Sequence, residues 1–347
     1  MSRLVSIFSL TLLALLLSLP INAFAQAKDP ITGETYPDLF TVGTFSNAPQ
    51  TAIPIEEGFF DKLPVKTKVI FFDSGRDINT AFASNSIQAA TLGSSPASLG
   101  ISNKLNYEVI FINNIIGPAE SLAVKKSSNI KTLADLKGKK VATPFASTAH
   151  YSLLAALTLE KIDPNDVQIL DLQTQDILAA WVRGDIDGAY VWTPVLDELL
   201  KNDGEALTDS LKLADKGAVT ADITVVNKDF AKKYPTLVTA YVEAFIKSNL
   251  IINQKSDQAA ADLAKHIGID QAEALRQLKG YYFVLAPEQI QDNRLGVSGK
   301  PGDFARTLKE TADFHVTQGN LDKADNLSAY QAGVNGSFVQ EAIKEKK

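Results

Sequence analysis

Short β-rich runs and helix-compatible stretches alternate along this chain in two successive sets, and that alternation constrains the fold more than any other feature. Asp38–Phe45, Lys66–Asp73, Ile87–Gly93 and Tyr107–Ile115 read as strands, and helix-compatible segments at Ala48–Gly58, Arg76–Ser84 and Pro96–Lys104 follow the first three. A repeat of this kind calls for a mainly parallel sheet covered by helices. The second set has strands at Ser121–Lys126, Lys140–Thr143, Val167–Leu172 and Gly188–Trp192, with helices at Thr132–Leu136, Thr148–Ile162 and Gln173–Arg183 between them. After one more strand at Ile223–Lys228 the pattern turns helical: Phe230–Gln254, Ser256–Gly268, Asp270–Gly280 and Asp303–Gln318 carry apolar residues at helical spacing. Pro235 is expected to start the long part of the first of these.

No Gly/Ser-rich or Pro-rich linker joins the two sets, although 347 residues suffice for two domains. Domains without a linker are joined by strands that cross directly, and two crossings make the second set an insertion in the first. Ser121–Lys126 is the candidate outgoing strand and Ile223–Lys228 the returning one, a natural hinge. The expected organisation is an α/β chain of two lobes. Residues 38–121 and 223–319 form the first lobe, 122–222 the second, and 320–347 a polar tail that is solvated or frayed.

Residues 1–25 stand apart. Arg3 precedes an apolar run from Leu4 to Leu19, Pro20 breaks it, and Ala23-Phe24-Ala25 supplies small residues at signal-peptidase spacing. This is the layout of a secretory signal with cleavage after Ala25, and it places the mature chain in the periplasm. The chain has no Cys, which removes disulfides, thiolate metal sites and Cys nucleophiles. Its 40 acidic and 34 basic side chains give a net charge of -6 with no basic cluster, a poor match to nucleic acid or an anionic membrane. The histidines His150, His266 and His315 have no metal-ligand spacing, and HExxH, GxGxxG, GxxxxGK[ST] and GxSxG are absent. No metal and no cofactor is expected. The carboxylates of Gly184-Asp185-Ile186-Asp187-Gly188 read as a helix-to-strand turn rather than an acid/base pair.

Two strand-to-helix turns are rich in hydroxyls. In Thr91-Leu92-Gly93-Ser94-Ser95-Pro96 the strand ends at Gly93, Ser95 is the expected N-cap and Pro96 suits the first helical turn. In Thr143-Pro144-Phe145-Ala146-Ser147-Thr148-Ala149-His150-Tyr151, Ser147 or Thr148 caps the next helix. Helix N-termini present free N–H groups and partial positive charge, so one such turn in each lobe makes an oxyanion site without Lys or Arg. Ser94, Ser95, Ser147, Thr148, His150 and Tyr151 are assigned to that end. Glu120 and Asp222 stand directly before the two crossing strands, where they would hold a ligand cation. Phe45, Tyr151 and Trp192, at strand ends or in the capped helix, are candidate walls. The pattern matches a small zwitterion with an oxyanion head.

These residues carry a resemblance that spans about Asp38 to Asp313. Gly93-Ser94-Ser95-Pro96, Glu120-Ser121-Leu122-Ala123-Val124-Lys125-Lys126, Pro144-Phe145-Ala146-Ser147-Thr148-Ala149-His150-Tyr151-Ser152-Leu153-Leu154 and Arg183-Gly184-Asp185-Ile186-Asp187-Gly188-Ala189-Tyr190-Val191-Trp192 resemble the two-lobed periplasmic solute-binding proteins of the nitrate, sulfonate and taurine import family. The resemblance implies a type II periplasmic-binding-protein fold and capture of an aminosulfonate such as taurine by lobe closure. It also implies delivery to an ABC permease and its ATPase in the inner membrane, by a protein that is a monomer and not an enzyme. Asp222 falls at the family's amine-holding carboxylate. Thr224 departs from the pattern near the returning strand, and similarity weakens after about Asp257. The alternatives are a binder of alkanesulfonates or nitrate and, in another class, an enzyme on the same fold resembling a pyrimidine-precursor synthase. Two carboxylates at the cleft argue against a bare anion.

Overall fold

A computed structural model describes residues 27–344. The leader expected over residues 1–25 lies outside the described residues. Strands β1 (Leu39–Thr44), β2 (Lys66–Phe71), β3 (Ala89–Gly93), β4 (Tyr107–Ile116), β5 (Glu120–Lys125), β6 (Lys140–Thr143), β7 (Gln168–Asp171), β8 (Gly188–Trp192), β9 (Gly204–Asp209), β10 (Ala221–Asn227) and β11 (Tyr281–Phe283) form two sheets. The first has the order β11-β4-β10-β3-β1-β2 and the second β7-β6-β8-β5-β9. Sheet membership therefore changes between Ile116 and Glu120 and again between Asp209 and Ala221.

The parallel pairs are β1 with β2 and β3, and β6 with β7 and β8. Strands β10 and β5 run antiparallel to both neighbours. The reversal follows from the path: strands born in a lobe end at the cleft, whereas a strand that enters through the cleft starts there and runs away from it. Asp222 consequently stands opposite Gly93, the last residue of β3, and Glu120 opposite Trp192, the last residue of β8.

Both sheets are covered on both faces, which explains the near-continuous apolar strands. In the second sheet, alternate residues feed two cores: Leu122, Val124 and Tyr190 on one face, Ala123, Ala189 and Val191 on the other. The first sheet packs Phe40, Phe111, Ile223 and Val225 against Tyr241 and Phe245.

The helices that matter to the cleft are α1 (Pro49–Glu56), α2 (Gly75–Ala83), α3 (Ser94–Ser102), α4 (Thr148–Leu159), α5 (Thr174–Arg183), α6 (Val195–Lys201) and α7 (Ser210–Ala214). The expected helix Phe230–Gln254 is broken into α8 (Lys228–Lys233) and α9 (Pro235–Gln254). Tyr234, at φ -131 and ψ 57, is held out of the helical region by the following proline, which then opens α9 at N1. Helices α10 (Ser256–Ile267) and α11 (Gln271–Leu278) lead to β11, then α12 (Ala286–Gln289) and α13 (Phe304–Thr317).

The C-terminal segment corrects an expectation. In place of a solvated tail it carries α14 (Leu327–Gln331) and α15 (Ser337–Lys344), with Tyr330, Val334, Phe338, Val339 and Ala342 buried in the first core. Its polar average hid an amphipathic face, and Val334 bridges to Val109 of β4. The alternation did not indicate α6, β9, α7 and β11; of these, β11 brings Tyr281 to the cleft and α7 brings Ser210 to Glu120.

Candidate functional site

Between the two sheets lies a cleft of about 530 Å³. Phe45, Asn47, Ala48, Pro49 and Gln50 line it from the turn into α1, Gly75 from α2, and Gly93 and Pro96 from the start of α3. Glu120, Ser147, Thr148 and Trp192 line it from the second lobe; Ile116, Asp222 and Tyr281 complete the wall. The N-termini of α1, α2, α3 and α4 thus converge there, each with backbone N–H groups that have no intrahelical partner. The charged lining residues are the carboxylates Glu120 and Asp222, with no Lys, Arg or His beside them.

Close approach of the lobes depends on Gly93. A Cβ there would stand 2.7 Å from Cγ2 of Thr148, so the end of β3 admits the first residue of α4 only while residue 93 has no side chain.

Glu120 is 1% exposed. Its Oε2 accepts a bond from Thr148 Oγ1 at 2.5 Å, and its Oε1 accepts from Ser210 Oγ at 2.9 Å and Ser152 Oγ at 3.4 Å. Burial pushes its carboxyl up to about 7; the hydroxyls oppose the rise and the charge of Asp222 adds to it. Asp222 keeps more of its surface open, and Asn114 Nδ2 donates to its Oδ2 at 3.2 Å. Burial pushes it up to about 6, against bonds from Asn114 and Gln50.

The oxyanion end differs from the expectation. Glu120 touches Thr148, so the carboxylates and helix N-termini are interleaved rather than set at opposite ends. Ser147 caps α4, accepting from His150 N at 3.1 Å and donating to Pro144 O at 2.6 Å, which spends its proton. Thr148 spends its proton on Glu120. What α4 presents to the cleft is its backbone.

Four residues assigned to this end do not line the cleft. Helix α3 starts one residue before the expected cap, with Gly93 as N-cap. Ser94 Oγ therefore accepts from Ala221 N at 3.2 Å, and Ser95 Oγ meets His315 Nε2 at 2.9 Å in the interior. His150 is buried with its ring stacked on Phe145 at 4.3 Å, and burial holds its pKa down to about 4. Tyr151 packs edge-on against Phe314 of α13 at 5.0 Å. Thr224 is also off the cleft, inside the first sheet beside Thr91 and Asn113. Phe45 and Trp192 are walls.

Sequence reasoning passed over Asn47, Gln50 and Tyr281. The signal for the first two was present: Phe45-Ser46-Asn47-Ala48-Pro49-Gln50 is a third strand-to-helix turn with Pro at N1. Tyr281 sits on a three-residue strand paired at Ile116, too short to be read from periodicity. Burial pushes its phenol up; Asp222 and Glu120 push the same way, and a bond to Thr193 opposes them. No group of three or more His, Asp or Glu able to hold a metal occurs among the described residues.

Two α/β lobes joined by two chain crossings, with a cavity at the carboxyl ends of their parallel strands, define a periplasmic-binding-protein fold. The periplasmic aliphatic sulphonate binding protein SsuA from Escherichia coli superimposes with a TM-score of 0.70 at 20% identity, over 85% of this chain and 92% of that one. The alkanesulfonate-binding protein SsuA from Xanthomonas axonopodis pv. citri, bound to MOPS, gives 0.71 at 19% identity, over 85% and 98%. The taurine-binding periplasmic protein of Escherichia coli (strain K12) is 38% identical over 275 residues, 78% of this chain and 82% of the relative. The NMT1/THI5 like family model matches residues 52–259, and the chain belongs to that family.

Proposed function

We propose that this protein is the extracytoplasmic substrate-binding component of an ABC importer for a small aminosulfonate, with taurine as the ligand. One observation carries the reading: a buried cleft whose charged lining is two carboxylates, onto which helix N-termini open. A cavity with that lining repels a simple anion, and a simple cation leaves the helix N-terminal N–H groups without an acceptor. A zwitterion satisfies both, its sulfonate on backbone N–H groups and its ammonium at Asp222. The 38% identity to a taurine-binding periplasmic protein supports the same ligand.

The protein works by capture without chemistry. Closure about the two crossings, near Gly117 and Thr220, removes water from the cleft, and the closed form is presented to an inner-membrane permease with its ATPase. It acts as a periplasmic monomer released from a leader cleaved after Ala25. Calorimetric titration with taurine, ethanesulfonate, nitrate and glycine tests the reading. Taurine should bind most tightly, and equal or tighter binding of nitrate or ethanesulfonate would reject it. A ligand at about 100 times its dissociation constant should stabilise the protein by about 2.7 kcal/mol.

A further inference from the structure

We infer that Glu120 is a positioning residue, which aims the amino terminus of α4 at the ligand instead of holding the ligand's cation itself. The inference rests on the aminosulfonate reading and reassigns one residue within it. Glu120 is 1% exposed, whereas Asp222 is more open to the cleft. A carboxylate has about four acceptor sites, and Thr148, Ser152 and Ser210 occupy three of those of Glu120.

These three donors come from two helices. Thr148 is the first residue of α4 and Ser152 lies one turn further on; Ser210 opens α7. Tyr190 of β8 stands behind, its hydroxyl 3.2 Å from Ser210 Oγ. Glu120 itself opens β5. One carboxylate therefore ties β5, α4 and α7 of the second lobe together immediately beneath the first turn of α4, with β8 joined through Ser210. Removing it frees that turn to shift, and a small misplacement of donors is costly to binding even when each donor survives.

Direct contact and positioning predict different selectivity. A residue that holds the ammonium matters only to ligands with one, whereas a residue that aims backbone donors at the sulfonate matters to every sulfonate. Taurine and ethanesulfonate share the head group and differ at the ammonium.

The test titrates both ligands against wild type, Glu120→Gln, Thr148→Val, Thr148→Ser, the Glu120→Gln/Thr148→Val double variant and Asp222→Asn. Glu120→Gln and Thr148→Val should each weaken both ligands by about tenfold, the scale of one lost charge-assisted bond, with the affinity ratio unchanged. Thr148→Ser keeps the hydroxyl and should restore both. The double variant should be no weaker than its weaker parent, because one contact is broken in each. Asp222→Asn should change the ratio. Thr148→Val probes the contact from the helix side should Glu120→Gln fail to fold. If Glu120→Gln spares ethanesulfonate, or the double variant shows the product of the two losses, the inference is overturned and the binding reading stands. Wild type that binds neither sulfonate overturns the binding reading and this inference with it.

Discussion

Asn47 Nδ2 donates to the backbone oxygen of Thr193 at 2.5 Å, and the two residues come from opposite sides of the cleft. Arg76 of α2 reaches Asp171 at the end of β7 in the same sense, Nη1 to Oδ2 at 3.1 Å. On the hinge side Lys201 of α6 meets Glu273 of α11 at 2.9 Å, and Gln277 bonds Asp197 at 2.9 Å. The described arrangement is thus a closed one, stitched along both edges by polar contacts. Such contacts are individually weak, about 0.5–1.5 kcal/mol for a hydrogen bond and about 0–1 kcal/mol for an exposed ion pair. Closure held by contacts this small is set by what the cleft contains, which is what a capture protein needs.

The Arg76–Asp171 pair gives the mildest test of that view. Arg76 does not line the cavity, so Arg76→Gln changes closure without touching ligand. Both partners are exposed by more than a third (45% and 37%), so solvent screening limits the loss of taurine affinity to about 1 kcal/mol or less. Calorimetry in low salt should show it, and about 1 M salt should erase the difference from wild type.

Asp222→Asn keeps the shape of the cleft and removes one charge. If the ammonium of taurine lies against Asp222 Oδ1 or Oδ2, the variant should lose roughly 2–5 kcal/mol of taurine affinity, the cost of leaving one member of a buried pair alone. Ethanesulfonate should lose little or bind better. Parallel losses for the two ligands would show that Asp222 only orders the start of β10.

The raised carboxylates make a pH prediction with a definite sign. Glu120 at about 7 and Asp222 at about 6 are partly protonated near neutrality in the empty cleft. An ammonium favours the ionised forms, so binding displaces protons and taurine affinity should fall as pH drops from 8 towards 5. The slope should approach about tenfold per pH unit for each proton displaced. Stability of the ligand-free protein should run the other way. A group whose folded pKa is raised contributes its full stability below the unfolded value, near 4, and loses it as pH rises through the folded value. The melting temperature without ligand should therefore decline between about pH 4 and 7 on account of these two groups, and taurine should reverse the decline.

How much of this was legible beforehand follows from local physics. Strand ends were clear where apolar runs stop at Gly or Pro, and Lys140–Thr143 and Gly188–Trp192 have the expected bounds. Glu120 and Asp222 could be placed because a strand entering through a cleft must begin there. The expected cap at Ser95 lies two residues past the observed one at Gly93, and two residues rotate a helical side chain by about 200°, which turns Ser94 and Ser95 away from the cleft. Tyr281 depends on a long-range pairing with Ile116 that no local pattern encodes. In α15, Phe338, Val339, Ala342 and Ile343 carry the local hint of burial, two apolar pairs one turn apart between polar and charged residues.

Gly93 offers the sharpest test of closure. Its missing Cβ is what lets Thr148 lie against the end of β3, since the added atom would sit 2.7 Å from Thr148 Cγ2. Gly93→Ala has no backbone strain to answer for, because φ here is -71 and an alanine adopts that readily. The clash therefore falls on the approach of the two lobes and not on the folding of either. Overpacking of this size costs typically about 1–3 kcal/mol, and the open form escapes it. Taurine affinity should drop by about tenfold or more, through a faster off-rate of an incompletely closed complex, while the ligand-free melting temperature changes little. Stopped-flow release measurements on Gly93→Ala and wild type decide the point. A melting temperature lowered together with unchanged release would place the clash inside the first lobe and remove Gly93 from the closing contact.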